Sequence, residues 1–189
     1  MTHLLLTHGA GGNRNSPLLV ALEKAFAEHD VTVIRYDLPF RQARPNGPPR
    51  PADAARDREG LQSELLKLRE KHPGQVWVGG ASYGGRQASM LAAEKPGLAD
   101  RLLLLSYPLH PPGKPQQLRT AHLEQLKTPT FFVHGSRDPF ATEEELKAAI
   151  ALIPARAELL EIPGGGHDLG RKHSDVAARI VSSFLAFAT

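Results

Sequence analysis

Short apolar runs alternate with amphipathic segments along the whole chain, and this alternation constrains the fold more than any other feature. His3–His8, Val31–Tyr36, Gln75–Gly79, Leu102–Ser106, Thr130–His134 and Glu158–Ile162 read as strands. Leu18–His29, Ala52–His72, Tyr83–Glu94, Thr142–Leu152 and His173–Phe187 read as helices, the second with Leu61, Leu65, Leu66 and Leu68 on one side. Runs such as Val31–Ile34 and Leu102–Leu105 are continuously apolar, the mark of a parallel strand buried on both faces. The pattern predicts an α/β domain spanning residues 1–189: an open, mostly parallel six-stranded sheet with helices on both faces. Leu38–Pro51, rich in Pro and Arg, reads as a loop. Thr142, followed by Glu143–Glu145, supplies a helix start with a capping hydroxyl and acids at the positive end of the helix dipole.

In open sheets of this kind, ligands bind beyond the carboxyl ends of the strands. The residues that matter are therefore His8–Gly12, Asp37, Ser82, Ser106-Tyr107, Asp138 and His167. The most specific signal is Gly80-Ala81-Ser82-Tyr83-Gly84, a G-x-S-x-G pattern between a predicted strand and a predicted helix. Such a serine must sit on a sharp, strained turn, with small neighbours that let the turn approach its surroundings. The following helix end then favours negative charge developing near the hydroxyl.

A serine hydroxyl is a weak nucleophile until a base takes its proton. Of nine histidines, His29 and His72 fall at helix ends and read as solvated, and His8 and His134 as packing or turn residues. His167 stands apart, in the Gly-rich segment Gly164–Leu169 after the last predicted strand. A carboxylate is needed to orient its ring, and Asp138, just after the penultimate strand, is the candidate. Asp168 is a rival, but it adjoins His167 directly, a poor geometry for bonding the same ring. The small residues of Gly9-Ala10-Gly11-Gly12 can turn backbone N–H groups toward a substrate. The oxyanion donors are assigned to the amides of Ala10 and Tyr83, with Gly11 as the alternative to Ala10.

With these residues in place, the chain resembles the α/β-hydrolase superfamily over nearly its whole length. The matching pieces are Gly80–Arg86, Tyr107–Pro115, Leu118-Arg119 with His122-Leu123, and His134–Phe140. The chain order Ser82, Asp138, His167 is that of the superfamily. The resemblance begins at what is usually the third strand, and within the superfamily it is similar to the small, cap-less dienelactone-hydrolase-like group. That group includes the hydrolase-like subunit of a chromatin acetyltransferase complex and its testis-expressed relatives. Dienelactone hydrolases use a cysteine nucleophile; this chain has no cysteine, so their substrate does not carry over. The resemblance implies a minimal α/β-hydrolase fold without a cap domain and a serine hydrolase acting on a small acyl ester. The alternative is a non-catalytic binding module or complex subunit on the same fold.

Other classes fit less well. The formal net charge is only +3, and the basic residues are interleaved with acidic ones, so no nucleic-acid partner is expected. The longest uncharged stretch, Leu102–Gly113, is short and ends in prolines, so no membrane span is expected. Met1–Leu6 has no basic leader, which points to the cytoplasm. Gly9-Ala10-Gly11 fails as a dinucleotide fingerprint, because Arg14 stands where the third small residue belongs. Gly80–Gly85 lacks the Lys-Ser/Thr pair of a phosphate loop. The histidines show no metal spacing, and neither cofactor nor metal is expected.

Arg86, in the first turn of the helix after Ser82, opposes the helix dipole and is expected to find a partner, with Asp37 the candidate. Contact with substrate is its secondary reading. Tyr107 and His110 follow a strand that should end near Ser82 and are candidate substrate contacts. Arg41, Arg44 and Arg50 read as a solvated loop more than as recruiters of an anionic substrate. Trp77 reads as core. The stretch from Ser106 to Thr130 is too short for a folded lid, so the site should be open.

Overall fold

A computed structural model describes residues 1–170 and 172–189. The chain runs β1 (Thr2–Thr7), α1 (Pro17–Ala27), β2 (Val31–Tyr36), α2 (Pro39–Ala43), α3 (Asp53–Lys71), β3 (Val76–Ala81), α4 (Tyr83–Glu94), β4 (Arg101–Leu105), a 3-10 turn (Leu123–Gln125), β5 (Thr130–Gly135), α5 (Glu143–Ile150), β6 (Ala157–Ile162) and α6 (His173–Ala188). The sheet order is β2-β1-β3-β4-β5-β6, and every pairing is parallel. The sheet is thus fully rather than mostly parallel. No helix among the described residues is long and apolar enough to cross a membrane.

Alternate side chains of each strand face opposite layers, which is why the strands read as unbroken apolar runs. Leu5, Val78, Leu104 and Phe132 pack under α2, α3, α4 and α5. Leu4, Leu6, Trp77, Leu103 and Phe131 pack under α1 and α6. The second layer centres on Phe184 of α6, whose ring meets Phe26, Trp77 and Phe131 at 5.2–6.0 Å. Ala177, Ile180, Val181, Phe184 and Phe187 bring α6 onto the sheet at helical spacing.

Three expectations are corrected. Leu61 and Leu65 are buried, but Leu66 is 51% exposed, because it lies about 100° round the helix from Leu65. The predicted loop at 38–51 contains the helical turn α2. Pro39 presets its first φ, and tertiary acceptors take amides at its start: His8 Nε2 from Leu38 and Asp57 Oδ1 from Phe40. Arg41 and Arg44 are not solvated: Arg41 is buried, and Arg44 pairs with Asp53.

The crossover from β2 to β3 passes back over β1, so chain direction across the sheet reverses between β1 and β3. Thr7 pairs with Gly80, so residues 8–11 and 81–84 leave the sheet side by side at this switch point.

Candidate active site

Ser82 occupies the turn between β3 and α4 at φ 49° and ψ −115°. A non-glycine residue held there stores on the order of 1–3 kcal/mol of strain. Its neighbours enforce the turn: the Ser82 N–H donates to Leu105 O at 2.8 Å, and Ser82 O accepts from the Arg86 N–H at 2.9 Å. Gly84 must be glycine, since a Cβ there would lie 2.4 Å from His8 O. That absence lets the loop after β1 pack directly against the start of α4.

His167 arrives from the loop after β6. Its Nε2 lies 2.8 Å from Ser82 Oγ, and its Nδ1 lies 2.8 Å from Asp138 Oδ2. The acceptor-only carboxylate sets the tautomer: Nδ1–H donates to Asp138, leaving Nε2 to accept from the serine hydroxyl. Asp138 Oδ1 accepts the Phe140 N–H at 2.9 Å, and the Phe140 ring stacks on His167 with centroids 4.1 Å apart. The Asp138 and His167 loops meet because Gly135 has no side chain; a Cβ there would sit 2.4 Å from both Gly165 O and Gly166 O. Asp168 does not compete for the ring, since its Oδ1 accepts the Gly170 N–H.

The loop after β1 is a turn closed by Gly12 N–H to Gly9 O. Buried His8 donates Nδ1–H to Gly9 O at 2.8 Å and accepts the Leu38 N–H on Nε2 at 3.2 Å. Both ring nitrogens are engaged by the neutral form, and burial pushes the imidazole below its ordinary value. The Gly9 carbonyl shares a peptide plane with the Ala10 N–H, so His8 also orients that N–H. Among the described residues, the N–H groups of Ala10 and Tyr83 donate to no protein acceptor. Ala10, Ser82 and Tyr83 line a common cleft of about 600 Å³. Gly11 does not line it.

The tyrosine after Ser82 is anchored from below. Tyr83 Oη donates to Asp57 Oδ2 at 2.7 Å. Burial and this carboxylate raise the phenol far above its ordinary value. Asp57, itself fully buried, accepts the Phe40 N–H on its other oxygen.

The expected substrate contacts fare differently. Tyr107 is buried against Phe132, and its hydroxyl donates to Arg119 O at 2.8 Å. His110 is buried between Pro111 O and Glu145. Neither lines the cleft, because both side chains turn down into the layer beneath it. Arg86 does line the cleft, but it does not pair with Asp37. Asp37 follows β2, on the far side of β1, where it accepts the Arg14 N–H at 2.6 Å. The segment 48–51 also forms a cleft wall.

Sequence reasoning missed the supporting set of His8, Arg41, Asp57 and Phe140. Phe140 lies two residues from Asp138, and His8 adjoins the glycine loop, so local sequence held a weak signal for both. Nothing local pointed to Asp57 or Arg41.

Residues 1–183 match the model of a family described as alpha/beta hydrolase domain. Solved structures share the architecture. An alpha-beta serine hydrolase homologue from Coxiella burnetii superposes with a TM-score of 0.78 at 18% identity, covering 96% of this chain and 84% of that one. Est1E from Butyrivibrio proteoclasticus, bound to ferulic acid, gives 0.78 at 16% identity, covering 98% and 89%. A dienelactone hydrolase from Anabaena variabilis gives 0.76 at 21% identity, covering 98% and 86%. At these identities the likeness is one of fold.

Proposed function

The chain belongs to the alpha/beta hydrolase domain family, and from that premise we propose that it is a serine hydrolase cleaving small carboxylic esters through an acyl-enzyme on Ser82. One observation carries the reading: the unbroken line from Asp138 through His167 to Ser82, with both contacts at 2.8 Å.

His167 Nε2 takes the Ser82 proton as Oγ attacks the ester carbonyl carbon. The carbonyl electron pair moves onto oxygen, and the Ala10 and Tyr83 N–H groups receive it; each such donor is worth roughly 3–4 kcal/mol at the transition state. Asp138 stabilises the imidazolium and keeps its tautomer. His167 then gives the proton to the leaving alkoxide as the C–O bond breaks. Water, deprotonated by the same nitrogen, attacks the acyl-enzyme; collapse releases the acid and returns the proton to Ser82. Esters are expected to be cleaved more readily than amides because an alkoxide is a far better leaving group than an amide anion.

A binding module on the same fold has no use for a serine held at φ 49° in line with a base, so the catalytic reading is preferred. A fluorophosphonate probe tests it. Labelling is expected on wild type and absent from Ser82→Ala; equal labelling of the two refutes the assignment.

A further inference from the structure

We propose that the cleft beside Ser82 selects esters whose acyl part carries a second, ionised carboxylate, and that Arg86 and Arg119 hold it. The inference rests on the serine-hydrolase reading for the bond that is cut, but not for the binding of the anion.

The cleft wall is unusual in its charge. Arg50, Arg86 and Arg119 all line it together with Ser82, and its lining contains no Asp or Glu. Arg35, Arg58 and Arg69, also partly sheltered, pair with Glu23, Glu94 and Asp100, whereas Arg41 and Arg101 are held by backbone carbonyls. Among the described residues neither Arg86 nor Arg119 pairs with a carboxylate. Arg86 Nε is buried without a hydrogen-bond partner, and the Arg119 side chain donates to Pro108 O at 3.2 Å. The two guanidiniums are close enough that, after burial, the charge of Arg86 is the main influence holding Arg119 below its ordinary value. Arg86 also sits in the first turn of α4, against the helix dipole. Two half-buried cations that repel each other, with free donors, are an arrangement that an anion completes. A guanidinium fork matches the two oxygens of a carboxylate.

The position of the anion follows from the catalytic groups. The Arg86 N–H bonds Ser82 O at 2.9 Å, so Arg86 stands one helical turn from the nucleophile, and both line the same cleft. The leaving group must lie where His167 can protonate it. His167 does not line the arginine cleft. The acyl chain therefore takes the arginine-lined cleft. The substrate class is the half-ester of a short dicarboxylic acid, cleaved to the free diacid and an alcohol.

The test compares the 4-nitrophenyl half-ester of glutaric acid with neutral 4-nitrophenyl pentanoate. Wild type is expected to favour the half-ester by roughly tenfold or more in kcat/KM. Arg86→Gln and Arg119→Gln, each checked by melting temperature, are expected to pull that ratio toward one. Calorimetry on Ser82→Ala is expected to show glutarate binding, weakened in the Ser82→Ala/Arg86→Gln double variant. If neutral esters turn over and the probe labels Ser82, but glutarate does not bind and the ratio is one or less, this inference falls while the hydrolase reading stands. If neither ester is cleaved and nothing is labelled, yet glutarate binds in an Arg86-dependent way, the anion site stands and the hydrolase reading falls. Tighter binding of inorganic phosphate than of glutarate overturns the carboxylate assignment.

Discussion

Arg41 donates Nη2–H to the carbonyl of Ala10 at 2.8 Å, tying the proposed oxyanion loop to a segment about thirty residues further along the chain. The same guanidinium reaches Gly12 O from Nε and the carbonyls of Arg44, Pro45 and Gly47 from its other nitrogens. One buried side chain thus sets both the loop that presents the Ala10 N–H and the segment leading to the cleft wall. Lysine has no planar fork to reproduce this. Arg41→Lys is expected to lower kcat for a neutral ester roughly 10- to 100-fold, since small displacements of catalytic groups carry penalties of that size. Proteolysis in residues 44–50 should quicken. Unchanged kcat and cleavage rate count against the role.

Asp57 joins three elements through two acceptor bonds. Asp57→Ala strands the buried Phe40 N–H and the Tyr83 hydroxyl, and is expected to cost about 2–5 kcal/mol in urea unfolding. Tyr83→Phe removes one of the two bonds. The double variant should therefore be less destabilised than the sum of the singles. Strict additivity would show that the two side chains act independently.

Ser82 holds φ 49° for geometry rather than stability. Ser82→Gly is expected to raise stability by about 1 kcal/mol, or roughly 2–4 °C in Tm for a chain of this size. Probe labelling should vanish at the same time. A fall in Tm argues that the turn is unstrained.

His122 provides a pH test. Its Nε2–H donates to Ser89 Oγ at 2.8 Å, the serine hydroxyl being committed to Arg86 O. Burial first, then the charges of Arg86 and Arg58, lower its pKa from 6.5 to about 4. Above pH 6.5 both folded and unfolded chains hold it neutral, and its contribution to stability is complete. As pH falls from 6.5 toward 4, the unfolded chain takes up a proton that the folded chain refuses, so stability declines. His122→Gln is expected to flatten the Tm profile across that window; an unaltered slope assigns it to other groups.

The three proposed catalytic residues were legible because their signals are local. Each lies within a few residues beyond the carboxyl end of a strand, in a short motif whose small residues have a steric reason. Tyr107 shows the limit of that logic. It follows the strand beside Ser82, yet packing against Phe132 takes its ring below the cleft. The Arg86–Asp37 pairing failed for a related reason: its charge argument was sound, but partner choice depends on strand order, and β1 lies between β2 and β3.

By itself the sequence determined the alternating parallel α/β architecture, the strained serine turn and the order of Ser82, Asp138 and His167. Periodicity and small-residue spacing act over a few neighbouring positions, so a linear reading captures them. Only the tertiary structure decided which polar groups meet: Arg41 with the proposed oxyanion loop, Asp57 with Tyr83, and Arg86 beside Arg119 with, among the described residues, no acid paired to either. Hydrogen bonds and charges act over a few ångströms, and which distant residues come that close is set by how the layers pack.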